Sequence, residues 1–245
     1  MKRMNITGTL LAAVFVIGLI GATSAMAAST NNPQWLILST VLAAGKTAAI
    51  DAEANGVQTL ASTGLTIECK KFGLLPGAIL IGSTAPAPGT SEETILYSEC
   101  EVAGFPACKI GGAVPGKIET HALRDLLVFL TKIAAEKEEA AGSGTLFEPK
   151  TGTAFALIPL SGTCPLTGTV TVSGNGVVVN NLTVNHEVTH EIEAPTPAKK
   201  EYWSNKSGVS TQTTGIKLEV AGLAATYTGK AKILLANKEP WGIFN

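Results

Sequence analysis

Two histidines and a glutamate stand at the spacing that zinc peptidases use. The segment His186-Glu187-Val188-Thr189-His190 matches the H-E-x-x-H motif, in which both imidazoles bind one zinc ion and the glutamate acts on the metal-bound water. This chemistry requires the two histidines on consecutive turns of one helix. The motif therefore predicts a zinc-dependent metallopeptidase only if the segment is helical.

The residues around the motif alternate with a period of two, which is the pattern of a strand. The even positions hold both histidines and the apolar residues Leu182, Val184, Val188 and Ile192. On a strand, residues four apart have Cα atoms about 13 Å apart, too far for both to bind one zinc. Pro195 and Pro197 would also end a helix within about a turn of His190. We therefore predict a strand from Leu182 to Glu193, and the peptidase becomes the alternative function.

A weaker metal site remains as a second interpretation of the histidines. His186 and His190 on one strand face could combine with His121, the only other histidine, to bind zinc or copper at the surface. The competing interpretation is that they are half-exposed strand residues beside a solvated acidic face. Because a short motif needs structural context to carry a function, we favour the second interpretation and predict no cofactor.

Four cysteines, Cys69, Cys100, Cys108 and Cys164, predict two disulfide bonds. An even number of cysteines fits disulfides in an oxidising compartment, whereas the absence of a C-x-x-C spacing argues against a zinc site. Three pairings are possible. We favour Cys100 with Cys108, because the segment between them contains a glycine and a proline that can turn the chain, and this leaves Cys69 with Cys164.

The N-terminus has the features of an export signal. A basic pair precedes an apolar run at residues 10–20, and the small residues of a cleavage site follow at 25–27. The run is shorter than the roughly 20 apolar residues that span a bilayer. We therefore predict a signal peptide at 1–27 and one β-rich domain at 28–245, without a transmembrane span, that is secreted or held at the cell envelope.

Composition and the remaining motifs argue against several functions. The 18 basic residues are scattered among 19 acidic ones and aromatic residues make up 5%, so nothing indicates nucleic acid binding. No G-x-S-x-G sequence suggests a hydrolase elbow, and Glu92 with Glu93 lack the partner carboxylate of a glycosidase. We therefore expect a non-catalytic binding or structural module, with a cell-wall or surface ligand as its partner.

Most of the chain after the signal has strand patterns rich in β-branched residues and glycine. Examples are "LTIECKKF", "TILYSECEV" and "GIKLEVAGLAATYTGKAKILLAN". The run "TGTVTVSGNGVVVNN" contains Gly174-Asn175-Gly176, a strong hairpin signal. These patterns predict a mainly β fold, an antiparallel sandwich or a barrel-like domain.

Two segments fit a helix by spacing, so the predicted fold includes at most one or two short helices. The first is "WLILSTVLAAG" at residues 35–45. The second covers 122–141, where Leu123, Leu126, Leu127 and Leu130 would share one helical face. A strand is the alternative for this second segment.

Several segments together resemble a known group of bacterial proteins. They include "LTIECKK", "ILYSECE", "GTLFEPKTGTAF", "SGTCPLTGTVTV" and the closing "ATYTGKAKILLANKEPWGIF". The chain resembles uncharacterised secreted, cysteine-containing, β-rich proteins of actinobacterial type, which have no assigned function. The resemblance implies a single exported β domain with paired cysteines. It supplies no catalytic residues and does not extend to the H-E-x-x-H motif.

Overall fold

The computed structural model describes residues 32–111, 114–131, 142–183, 185–206 and 209–244. The predicted signal peptide at 1–27 lies outside this part of the chain, as do residues 132–141 of the second predicted helix. The described residues form strands and no helix. The part of the chain that is described therefore contains no helix that could cross a membrane.

The described residues form 21 strands. In chain order they are β1 (Gln34–Ile37), β2 (Thr40–Val41), β3 (Thr47–Ala54), β4 (Gln58–Ser62), β5 (Leu65–Leu74), β6 (Ile79–Ile81), β7 (Thr90–Glu93), β8 (Ile95–Val102), β9 (Cys108–Ile110), β10 (Ile118–Glu119), β11 (Leu123–Phe129), β12 (Ser143–Pro149), β13 (Ala154–Gly162), β14 (Gly168–Gly174), β15 (Val177–Asn181), β16 (Thr189–Ala194), β17 (Glu201–Lys206), β18 (Val209–Thr214), β19 (Leu218–Val220), β20 (Leu223–Leu235) and β21 (Trp241–Phe244).

The strand pairings close on themselves, so the fold is an antiparallel β-barrel with further strands around it. One closed ring of 10 strands runs from β20 through β4, β5, β3, β6, β7, β11, β12, β15 and β16 back to β20. Closure comes from β20, which pairs with β16 on one side and with β3 on the other. This confirms the prediction of a mainly β, barrel-like domain.

Pairs of strands lie end to end in the barrel wall, and each pair forms one line of the wall. For example, β3 and β4 both pair antiparallel with β20, so they run in the same direction. The same holds for β5 with β6, β7 with β8, β10 with β11, β12 with β13, β14 with β15, and β16 with β19. These seven pairs and β20 make eight lines of strand. A barrel of about eight strands has an interior that side chains fill or that holds one small ligand.

Apolar side chains from all parts of the wall meet inside the barrel. The main cluster includes Ile67, Phe72, Ile95, Leu123, Ile158, Val172, Val220 and Ala231. A second cluster lies where the small sheet β2–β1–β21 covers one end of the barrel. There, Trp35 of β1 and Trp241 of β21 pack against the inward-facing Leu80, Leu127 and Leu235. We call this sheet the terminal sheet.

The hairpin β17–β18 covers part of the outer surface of the barrel. Val128, Leu146 and Val178 on the outer face of the wall are buried together with Ile216 and packed against Tyr202. The second half of β11 is therefore buried on both faces, whereas Arg124 near its start is exposed. The apolar run at 126–129 fits a helix and a doubly buried strand equally well, and the strand alternative is correct for 123–129.

The helix predicted at 35–45 is a short hairpin instead. β1 pairs with β2 across a tight turn at Leu38 and Ser39, whose φ values of 48° and 64° lie in the left-handed region. Two consecutive positive φ values are the geometry of a two-residue hairpin turn. Trp35, Ile37 and Leu42 of this segment pack on the end of the barrel, whereas Leu38 and Val41 are exposed.

The hairpin predicted at Gly174-Asn175-Gly176 is also wrong. β14 and β15 run in the same direction, pairing with β13 and β12, so the chain bends here without turning back. A side chain at Gly174 would meet the carbonyl of Lys217. The Asn175 amide donates to Gly215 O over 3.1 Å, and its Oδ1 accepts from Lys217 N over 2.8 Å. The Asn-Gly pair thus fastens the bend to the neighbouring chain.

Candidate functional site in the barrel interior

The H-E-x-x-H motif lies on a connection between two strands and not on a helix. β15 ends at Asn181 and β16 begins at Thr189, so His190 lies in a strand and His186 precedes it. The predicted strand from Leu182 to Glu193 is therefore correct from residue 189 onward. The described residues between 182 and 188 form bends and one isolated bridge. The helical geometry that a zinc peptidase needs is not present.

The motif residues instead hold the terminal sheet to the barrel. His190 is 2% exposed and stacks on Trp241 with ring centroids 3.9 Å apart. Its ring nitrogens lie 2.8 Å from Thr183 O and 2.7 Å from Trp241 O. Glu187 exchanges two backbone hydrogen bonds with Trp241, and His186 Nε2 accepts from Ser39 N over 2.8 Å. All three residues therefore have structural partners in β1, β2 or β21, or in the turns between them.

The candidate metal ligands do not come together. His186 is exposed at the edge of the terminal sheet, and His121 is exposed between β10 and β11. Within the described ranges, no group of three His, Cys, Asp or Glu side chains is placed to hold a metal ion.

All four cysteines form disulfides, but the favoured pairing was wrong. The bonds join Cys69 to Cys100 and Cys108 to Cys164. Cys69 and Cys100 stand opposite each other in the β5–β8 pairing, and Cys108 pairs in register with Gly162 near Cys164. The short-loop argument considered only the chain between two cysteines, whereas the register of the barrel wall decides which ones meet. Two disulfides indicate an oxidising environment.

The barrel interior contains a cavity of about 110 Å³ walled mainly by apolar side chains. Its polar residues are satisfied by one another or by the backbone. Tyr227 OH donates to Gln58 Oε1 over 2.6 Å, and Gln58 Nε2 donates to Lys230 O over 2.7 Å. Burial raises the pKa of Tyr97 to about 12 and that of Tyr227 well above its ordinary value. Both tyrosines therefore remain neutral near pH 7. We call this space the apolar cavity.

A smaller cavity of about 40 Å³ lies beside it and contains two buried carboxyl groups. Glu93 of β7 and Asp125 of β11 are 7% and 1% exposed, and Ser91 Oγ donates to Asp125 Oδ2 over 3.1 Å. Within the described residues, Glu93 Oε2, Asp125 Oδ1 and the indole Nε1 of Trp241 are buried without a hydrogen-bond partner. We call this space the acidic cavity.

The two carboxyl groups hold protons more tightly than free carboxyl groups do. Burial is the main cause of the raised pKa of Glu93, and hydrogen bonds with Asp125 and Ser91 partly oppose it. Burial, followed by the charge of Glu93, raises the pKa of Asp125 well above its ordinary value. Buried pairs of titratable groups with shifted pKa values are a common feature of functional sites.

The raised pKa values predict that the protein loses stability as pH rises. The folded pair keeps protons that the unfolded chain releases from about pH 4. The free energy of unfolding should therefore fall from about pH 4 until the pH has passed both raised pKa values, by at most about 1.4 kcal/mol per pH unit for each group. In Asp125→Asn this fall should be smaller, as measured by urea unfolding between pH 4 and 9. Glu119→Gln, at an exposed position of β10, is the matched control and should keep the wild-type slope. An equal slope in wild type and Asp125→Asn would contradict the prediction.

Sequence reasoning missed this carboxyl pair. Glu93 was considered only together with Glu92, and Asp125 was hidden in a segment assigned to a possible helix. The available signal was the alternation of β11, where Asp125 has the same parity as Leu123 and Leu127. On a strand this parity places a carboxyl group at an inward position.

The fold and the site define a closed antiparallel barrel with a mostly apolar interior and one acidic end. No protein-family model matches this chain, and comparisons with curated proteins and with solved structures also gave no match.

Proposed function

We propose that this chain is an exported, non-catalytic binding module that holds a small apolar ligand inside its barrel. The observation that carries this proposal is the apolar cavity of about 110 Å³ in the barrel interior. Ligand sites in proteins are mostly apolar concavities with a few fixed polar groups, and the mouths and interiors of barrels are frequent places for them.

The volume limits the size of the ligand. An apolar cavity of roughly 150 Å³ is sufficient to bind benzene, so the apolar cavity of about 110 Å³ has room for about one benzene ring, and any further group of the ligand must lie beyond it. Several residues that line it, such as Leu60, Val177 and Leu218, are only partly buried although they pack against the core. Partly exposed lining residues support a route for a small molecule into the interior.

Export is supported by independent features of the chain. The two disulfides fit an oxidising compartment, and the sequence of residues 1–27 predicts a signal peptide. The resemblance to secreted bacterial β-rich proteins supports the same location. A ligand from the cell wall or the cell surface would then reach the protein directly.

Benzene binding tests the proposal. We expect benzene to perturb the NMR signals of methyl groups that line the apolar cavity and to raise the melting temperature of the oxidised protein. Ala194→Leu, which adds volume to the cavity wall, should weaken binding at least tenfold. Ala224→Leu, at an exposed position of β20, is the matched control and should bind as wild type does. Absence of binding to the wild-type protein up to the solubility of benzene would reject the proposal.

A further inference from the structure

This inference rests on the proposed binding function and names the chemistry of its ligand. We propose that the barrel binds a small organic amine, with the ammonium group at Glu93 and Asp125 in the acidic cavity and the apolar part in the apolar cavity.

The charge of the site supports a cationic ligand. Neither Glu93 nor Asp125 takes part in an ion pair among the described residues, although six ion pairs occur on the surface. The nearby charges that act on the pair are those of Glu92 and Glu148, which are also negative. Removing a carboxylate from water costs several kcal/mol unless a partner compensates. A retained proton reduces this cost, because the pKa values of the pair are raised, and a cationic ligand can take the place of that proton.

The walls of the acidic cavity favour an organic ammonium group. Trp35, Trp241, Phe72 and Phe147 line it together with the two carboxyl groups. Aromatic faces attract cations, and alkylammonium groups are bound in aromatic cages by this effect. Trp35 is held in place because its Nε1 donates to Thr90 O over 2.7 Å, and its ring centroid lies 5.8 Å from that of Trp241.

The two cavities adjoin, which fits one amphipathic ligand. Phe72, Phe147 and Ile192 line both of them. The acidic cavity of about 40 Å³ suits a small polar head, and the apolar cavity of about 110 Å³ suits a hydrocarbon body. The unpartnered oxygens of Glu93 and Asp125 are acceptors, and an ammonium group brings three donors.

A divalent metal ion fits this site less well than an amine. Calcium takes six to eight oxygen ligands and magnesium requires an octahedron of them. The acidic cavity supplies two carboxyl groups and the hydroxyls of Ser91 and Thr145, and its other walls are apolar or aromatic. Aromatic walls contribute nothing to the coordination of a hard cation, but they do contribute to the binding of an alkylammonium group.

Binding of an amine should displace a proton from the carboxyl pair. An aliphatic amine is protonated at pH 7, as lysine is, and its positive charge favours the ionised form of the pair. The other titratable groups near the pair, Glu92 and Glu148, lie 2.6 Å from Lys150 and 3.5 Å from Arg124, respectively. The remaining wall strands β3, β6, β16 and β20 contribute apolar residues only: Ile50, Leu80, Ile192 and Ile233. The displaced proton therefore comes from Glu93 or Asp125 and passes to the buffer.

The test compares benzylamine with toluene, which has nearly the same shape and no charge. Isothermal titration calorimetry of the oxidised wild-type protein at pH 7, in two buffers of different ionisation enthalpy, gives both the affinity and the number of protons released. We expect benzylamine to bind at least tenfold more tightly than toluene and to release up to one proton. In Glu93→Gln combined with Asp125→Asn, benzylamine should bind at least tenfold more weakly, whereas toluene binding should be unchanged. Glu119→Gln, at an exposed position outside both cavities, is the matched control.

The outcomes separate the two proposals. Toluene binding without a preference for benzylamine in the wild-type protein would overturn the amine inference and leave the binding function intact. An equal benzylamine affinity in the wild-type protein and the double variant would overturn it as well. If neither probe binds, the binding function itself is wrong, and the amine inference falls with it. Unchanged toluene binding by the double variant shows that the variant is folded.

Discussion

Replacing Cys108 and Cys164 together by alanine is expected to lower the free energy of unfolding by about 4 kcal/mol. The two cysteines are 56 residues apart in sequence, and a crosslink across a loop of this size removes about that much conformational entropy from the unfolded chain. The bond also fastens the three-residue strand β9, which pairs only with the end of β13 among the strands described. Urea unfolding of the oxidised wild-type protein and the double variant measures the difference.

The same variant also tests the pairing of the cysteines. If Cys69 is bonded to Cys100, the variant Cys108→Ala with Cys164→Ala keeps one intact disulfide and has no free thiol. If the pairing were Cys100 with Cys108 and Cys69 with Cys164, both remaining cysteines would lose their partners. Thiol titration of the unfolded variant, prepared from freshly purified protein, should therefore give no reactive thiol. Two thiols per chain, or a loss of stability below about 1 kcal/mol, would contradict the expectation.

Trp241→Ala is expected to cost about 3–5 kcal/mol, the usual range for a buried tryptophan. Trp241 is 3% exposed and packs between Trp35 and His190 at the covered end of the barrel. Its replacement leaves a cavity in the second core cluster and removes the ring against which His190 is stacked. We also expect the amides of β1 to exchange faster with deuterium, because β1 pairs with β21 on one side.

Trp203→Ala is the matched control for this prediction. Trp203 is only partly buried and lies in the hairpin β17–β18 on the outer surface of the barrel. Its loss should cost less than the loss of Trp241 and should leave the exchange of the β1 amides unchanged. Equal costs for the two substitutions, measured by urea unfolding, would show that the terminal sheet does not depend on Trp241.

The class of fold could be predicted from the sequence, whereas the boundaries within it could not. Runs such as "LTIECKKF" have a period of two because one face of β5 is buried and the other is not. The second half of β11 lacks this contrast, since Leu127 faces the interior and Val128 is covered by the hairpin β17–β18. The segment at 35–45 was misassigned because only some of its apolar residues, Trp35, Ile37 and Leu42, pack on the end of the barrel, and their spacing follows neither period.

Which residues meet inside the barrel could not be predicted from local sequence, because these contacts join distant parts of the chain. Glu93 and Asp125 are neighbours only because β7 pairs with β11 in one register. Cys69 meets Cys100 for the same reason, through β5 and β8. The H-E-x-x-H motif was correctly assigned as non-helical from its alternation and the following prolines. Its actual partner, Trp241, lies in a strand whose place in the fold no local pattern reveals.

Closure of the barrel by β20 has a consequence for how the chain is made. Until β20 is in place, β3 and β4 on one side and β16 and β19 on the other have unpaired backbone edges. Such edges are templates for pairing with other chains, and contacts between strands far apart in sequence form slowly. The incomplete barrel is therefore prone to aggregation, because it has two unpaired strand edges that can pair with other chains. We therefore expect the yield of soluble protein to depend on how long those edges remain unpaired during folding, in addition to the stability of the finished barrel.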